Sequence, residues 1–160
     1  MRNAVVCLIL FWLLGGCSDD PISGNKIFRY NEFNGITTLD PAFARSQSVM
    51  WAVHQLYSTL VEVDDSLHIK PLLATHWEFN NNNTELIFHL RKDIWFHDDP
   101  CFPNGKGRKM RAADVVYSLR RISDPKVASP GAWIFNGKLD TLNGITSLDE
   151  YTVRKRSSKG

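Results

Sequence analysis

The sequence predicts an α/β fold in which short strands form hairpins and two amphipathic helices pack beside them. Three observations carry this: a clean period-two run over residues 84–90, a helical apolar face over 112–122, and turn chemistry between such segments. At 160 residues, 43% hydrophobic and 22% charged, the chain has one domain's worth of ordinary globular material. That composition excludes a disordered tail, a collagen-like repeat and a multi-span membrane protein. The formal charge is only +2, and it is unevenly placed. Without Arg2, Arg154, Lys155, Arg156 and Lys159, 14 cations remain against 17 anions. A mildly acidic body argues against a nucleic-acid partner, whose affinity rests on phosphate neutralisation.

The first element is a leader. Met1-Arg2-Asn3 is a short positive start, followed by the apolar run from Ala4 to Leu14. Eleven residues make only about 16 Å of helix, too short for a hydrocarbon core of about 30 Å. The length and flanks fit a secretory signal peptide. Leu14-Gly15-Gly16-Cys17 resembles a bacterial lipobox, which implies cleavage after residue 16 and lipid on the Cys17 thiol. Residues 17–25 are small, polar and Pro/Gly-bearing, as a flexible tether requires. The chain is therefore expected to be exported and anchored, facing the periplasm or the cell exterior. Cys7 leaves with the leader and Cys17 is acylated, so Cys101 stands alone and has no disulfide partner.

Lys26 to Asn31 alternates as a strand, and Asn34-Gly35 and Leu39-Asp40-Pro41 are bends. Ser46 is placed to cap a helix carrying Val49, Val53, Leu56, Tyr57 and Leu60 at helical spacing. Leu60 to Val63 reads as a short strand, and Asp64-Asp65-Ser66 as a turn. A strand at Trp77–Phe79 and another at Thr84–Leu90 form a hairpin across the asparagines 80–83, a residue type that tolerates left-handed geometry. Leu86, Phe88 and Leu90 share one face; Glu85, Ile87, His89 and Arg91 share the other. Residues 97–111 form a polar loop. Ala112 to Ile122 is the best helix, with Val115, Val116, Leu119 and Ile122 on one side, Arg120 and Arg121 at its C-terminal end, and Asp124-Pro125 to stop it. Thr152-Val153 begins a further strand.

Several ordered blocks then resemble one family. They are Ala74-Thr75-His76-Trp77-Glu78-Phe79, the run from Leu86 to Asp98, and Ala113-Asp114-Val115-Val116-Tyr117-Ser118-Leu119-Arg120-Arg121. Leu39-Asp40-Pro41 and residues 57–61 sit at compatible places. Over about residues 26–153 the chain resembles the extracellular solute-binding proteins of family 5, the peptide- and dipeptide-binding components of ABC importers. The resemblance implies the N-terminal part of a two-lobed periplasmic-binding-protein fold, incomplete here, that closes on its ligand by hinge motion. It implies a peptide ligand, ABC permease subunits as partners, contact with the membrane through the lipid on Cys17, and neither catalysis nor a cofactor. Family relatives also carry nickel, haem or sugars.

The same resemblance puts Asn31, Glu32, Phe33, Asn34, Gly35, Ile36 and Thr37 beside the ligand, with Glu32 meeting a ligand ammonium. It also turns the loop Ala128-Ser129-Pro130-Gly131-Ala132-Trp133 toward the cleft, with Trp133 packing on a ligand side chain. Gly131 stands where some peptide binders carry a tyrosine. Residues 154–160, basic and Ser-rich, replace the alternating apolar residues the family has next, as a frameshift or early stop produces; a stand-alone lipoprotein interaction module is the competing reading. Other constellations carry less. His97, Asp98, Asp99 and Cys101 lack the paired spacing of a zinc site, and the remaining histidines are scattered. The run from Asn104 to Lys109 lacks GxxxxGK[ST] and GxGxxG and reads as a solvated loop. Asp98-Asp99 and Asp64-Asp65 are adjacent carboxylates without a nucleophile.

Overall fold

A computed structural model describes residues 29–80, 82–139 and 144–158. The leader, Cys17, the tether and the start of the first expected strand lie outside the described residues. The chain divides into two compact units, residues 1–31 and 32–160. In the first, the described residues Arg29 to Asn31 are not in a strand.

The second unit is built on a four-stranded antiparallel sheet. Its strands are β3 (Ala74–Asn80), β4 (Glu85–Leu90), β5 (Ile145–Ser147) and β6 (Thr152–Arg156), in the order β3-β4-β6-β5. The expected hairpin is present, with Trp77 opposite Phe88 and Phe79 opposite Leu86. Asn82 and Asn83 turn it at φ of 58° and 65°, the left-handed region that asparagine tolerates. A second hairpin pairs β1 (Val61–Val63) with β2 (Ile69–Pro71) around Asp64, whose carboxylate accepts from the amides of Ser66 and His68.

Helix α1 (Gln47–Leu56) is shorter than its apolar spacing suggests. Tyr57 is already extended, and Leu60 leads into β1. Ser46 holds the N-cap position without capping: its hydroxyl lies 3.2 Å from that of Ser48. Helix α2 (Ala112–Ser123) starts with Asp114 accepting from the Arg111 amide and ends at Asp124. It lies mainly against β5 and β6 rather than against the hairpin β3–β4. The core joins Leu90, Met110, Ala112, Val115, Val116, Ile145 and Val153.

The basic stretch after Val153 is the largest departure from expectation. β6 runs on through Arg154, Lys155 and Arg156 and pairs along its length with β4. Glu85 is the partner of the two arginines that enter the sheet. Its side chain is buried, accepts two bonds from Arg156 (2.8 and 2.5 Å) and lies 3.8 Å from Arg154. The face of β4 that carries Glu85, Ile87 and His89 therefore holds a buried carboxylate with its counter-ions.

The loop 97–111 is tightly closed. Phe96 donates its amide to the Arg108 carbonyl, and Met110 donates to that of Ile94. At Gly107 a β-carbon would stand 1.9 Å from the Phe96 carbonyl oxygen, so no other residue fits this crossing. Lys106 and the Gly107 amide both bond Asp98, while Arg108 forks onto Asp114. Among the described residues no helix is long and apolar enough to cross a membrane.

Candidate functional site

The segment expected beside a ligand forms an open turn. Phe33 and Asn34 occupy its corner, and Gly35 follows at φ +68°, which the lack of a β-carbon allows. Glu32 accepts the Asn34 amide at 3.2 Å, which orients its carboxylate along the turn. Phe33 is 99% exposed. Asn31 belongs to the first unit and is exposed.

Four of the expected residues meet at one cleft. Glu32, Asn34, Gly35 and Thr37 line a space of about 430 Å³ whose other wall is Ser46, Gln47, Ser48 and Trp51 from the start of α1. Phe33, Ile36 and Trp133 are not among its lining residues. The α1 wall was not singled out from the sequence. Its one legible signal is Trp51, a large aromatic on the helix away from the Val49–Val53 stripe; it is 54% exposed. The cleft thus offers one carboxylate, several small polar groups and one aromatic face, a set suited to binding rather than to bond-making.

Trp133 sits in a single 3-10 turn, Ala132–Ile134, and is 65% exposed, with the Lys138 ammonium 5.9 Å from its ring centre. The loop before it is anchored. Ser129 is buried, donates to the Ala42 carbonyl at 2.5 Å and accepts the Gly131 amide at 3.1 Å. Ala42 lies in the 3-10 turn Pro41–Phe43, where Asp40 accepts the Ala42 amide and is gripped by Arg121. That guanidinium, helped by the Ala42 amide, holds the Asp40 carboxyl below the usual carboxylate range.

A larger cleft, about 850 Å³, lies at the Ala74 end of the β3–β4 hairpin and the β5–β6 turn, among Thr75, His76, His89, Arg91, Asp149 and Tyr151. His76 and His89, neighbours across the strands, stack with ring centres 4.3 Å apart. Parallel stacking does not converge their nitrogens on one point. Among the described residues no group of three or more His, Cys, Asp or Glu side chains is placed to hold a metal ion. Cys101 is exposed, and the Asp99 carboxylate beside it pushes its thiol pKa up, away from the thiolate that nucleophilic chemistry uses.

Comparison with known proteins agrees with this architecture. The model for "Bacterial extracellular solute-binding proteins, family 5 Middle" matches residues 68–159, a stretch that includes both sheet hairpins, α2 and the basic residues of β6. The "Probable deoxycholate-binding periplasmic protein YgiS" of Escherichia coli (strain K12) is 29% identical over 85% of this chain and 26% of its own length. The "Periplasmic murein peptide-binding protein MppA" of the same organism is 32% identical over 76% of this chain and 24% of its own. Among solved structures, the "ABC transporter-associated periplasmic binding protein DppA from Helicobacter pylori in complex with peptide STSA" superposes with a TM-score of 0.64 at 29% identity, covering 77% of this chain and 25% of that one. The chain spans about a quarter of the length of the curated relatives it matches. With more than half its residues matched and an α/β periplasmic-binding-protein-like fold, the chain belongs to the bacterial extracellular solute-binding proteins, family 5.

Proposed function

We propose that the chain serves as part of the substrate-binding component of an ABC importer, capturing short peptides outside the inner membrane and delivering them to permease subunits. Cys17 carries lipid that holds it at the membrane. The observation that supports this reading is the cleft between the Glu32–Thr37 turn and α1, where a carboxylate stands among small polar groups and beside Trp51. A peptide's ammonium meets Glu32, its backbone meets the polar groups of residues 34–37 and 46–48, and an apolar side chain lies on Trp51. Trp133 contacts a further side chain of the ligand. Backbone-directed contacts of this kind discriminate weakly between peptide sequences, as a nutrient importer requires.

One wall gives weak binding, on the order of 1 mM, so the test is titration of the full chain with millimolar trialanine followed by Trp fluorescence and chemical-shift changes. Trialanine is expected to perturb Trp51 and residues 32–37, and N-acetylation of the peptide or Glu32→Gln to weaken binding several-fold. No perturbation by trialanine, or binding indifferent to acetylation, overturns the reading. For the anchor, Cys17→Ala is expected to move the chain from the membrane fraction to the soluble fraction.

A further inference from the structure

We infer that Asp40, Arg121 and Ser129 are positioning residues that tie the segment at 38–43, which follows directly on the turn at 32–37, and the loop at 128–133 into one unit. What the two segments do for a ligand rests on the peptide-capture reading above; how they are tied rests on geometry alone. Asp40 stands three residues beyond Thr37, and its amide donates to the Thr38 hydroxyl at 3.1 Å. Both its carboxylate oxygens are taken by Arg121, each at 2.6 Å, in the fork-on-fork arrangement that fixes direction as well as distance. One of them also accepts the Ala42 amide at 3.0 Å, which sets the 3-10 turn. The same turn is held from its other side, because the Ala42 carbonyl accepts from Ser129. The Ser129 hydroxyl then accepts the Gly131 amide, two residues before Trp133.

The two cross-links bridge 81 and 87 residues of chain and converge on one 3-10 turn, the first at its N-cap Asp40 and the second at Ala42. Their chemistry favours orientation over global stability. Asp40 and Arg121 are each about one-third exposed, and ion pairs so open to water add little to the free energy of folding. Ser129, by contrast, is buried with donor and acceptor both used, so its rotamer is fixed. A movement of the turn therefore has to carry residues 129–133 with it.

Hydrogen–deuterium exchange on the full 160-residue chain tests this without any ligand. Asp40→Asn and Ser129→Ala are each expected to speed exchange in both 32–42 and 129–134, by about tenfold, with β4 and β6 unchanged. Arg121→Lys, which keeps the charge and loses the fork, is expected to give a smaller rise in the same two segments. Loosening confined to the segment that carries the substitution overturns the inference. So does a uniform rise across the sheet, since that marks an ordinary structural role. Coupled loosening in a chain that ignores trialanine removes the capture reading and leaves the tie; trialanine binding without coupling does the reverse.

Discussion

The sheet with α2 and the arm that carries α1 use similar residue types to opposite ends. In the sheet, Leu90, Val115, Val116, Ile145 and Val153 close on one another, and even an ionic residue turns inward: Glu85 is buried, paired to the half-buried Arg156 and Arg154. In the arm, α1 buries only Ser48, Val49 and Val53 and leaves Met50, Trp51 and Leu56 in the open. The arm is fastened by polar groups, Asp40 to Arg121 and Ala42 to Ser129. One region spends its apolar surface on its own stability. The other leaves that surface exposed and is fastened by directional bonds.

The largest expected effect breaks the first half of that comparison. Glu85→Ala leaves two guanidinium groups in the sheet without their counter-charge, and Arg154 already has one nitrogen, Nε, buried with no hydrogen-bond partner. Removing one partner of a fully buried pair costs about 3–5 kcal/mol. Arg156 is partly exposed and can turn to water, so about 2–3 kcal/mol is expected, read as a lower urea midpoint at unchanged slope. A loss below about 0.5 kcal/mol, the range of ordinary surface changes, shows that the carboxylate does not hold the strand pair together.

The same pair shows how far the sequence could be read. Alternation over Thr84–Leu90 located β4, four asparagines located its turn, and the valines of α2 located the helix, because each signal is local and repeats within one element. β5 is three residues long and β2 ends on a proline, too short for a period to register. Arg154 and Arg156 meet their counter-charge in Glu85, 71 residues before Arg156, and no local pattern reports it. The candidate site divides likewise. The turn at 32–37 was legible from Asn34-Gly35 and from family resemblance, whereas the α1 wall of the cleft depends on how the arm folds back. Helix α1 itself was overextended, since Tyr57 and Leu60 continue its apolar spacing after the backbone has become extended.

A smaller effect separates the two regions by pH. Asp114, at the start of α2, has its pKa lowered first by the Arg108 side chain and further by the Arg111 amide, against a partial desolvation that raises it. A folded-state pKa below the ordinary 3.8 means that the carboxylate form favours the folded state. The contribution is present above pH 3.8 and lost as pH falls through the lowered folded value. Asp114→Asn is expected to remove part of the acid sensitivity of global unfolding, by no more than about 1 kcal/mol because Arg108 is half exposed. Asp40 titrates in the same direction but belongs to the arm. Its acid loss is expected in the exchange of residues 32–42 and 129–134 together, and not in the global transition. Equal effects of Asp114→Asn and Asp40→Asn on that transition merge the two regions into one cooperative unit.

The smallest stability effect is the most informative about the arm. Trp51 is over half exposed on α1, on the wall of the cleft that faces Glu32 and Gly35. An aromatic on the outer side of a helix contributes little to folding, and Trp51→Ala is expected to change stability by less than about 0.5 kcal/mol. Alanine is also the better helix former, which offsets part of any packing loss. If the open apolar surface exists for contact, the same substitution lowers trialanine binding while the urea midpoint stays in place. A shift of the midpoint with binding intact reverses the assignment: Trp51 then belongs with the buried stripe of Val49 and Val53, and the arm holds itself by apolar packing as the sheet does.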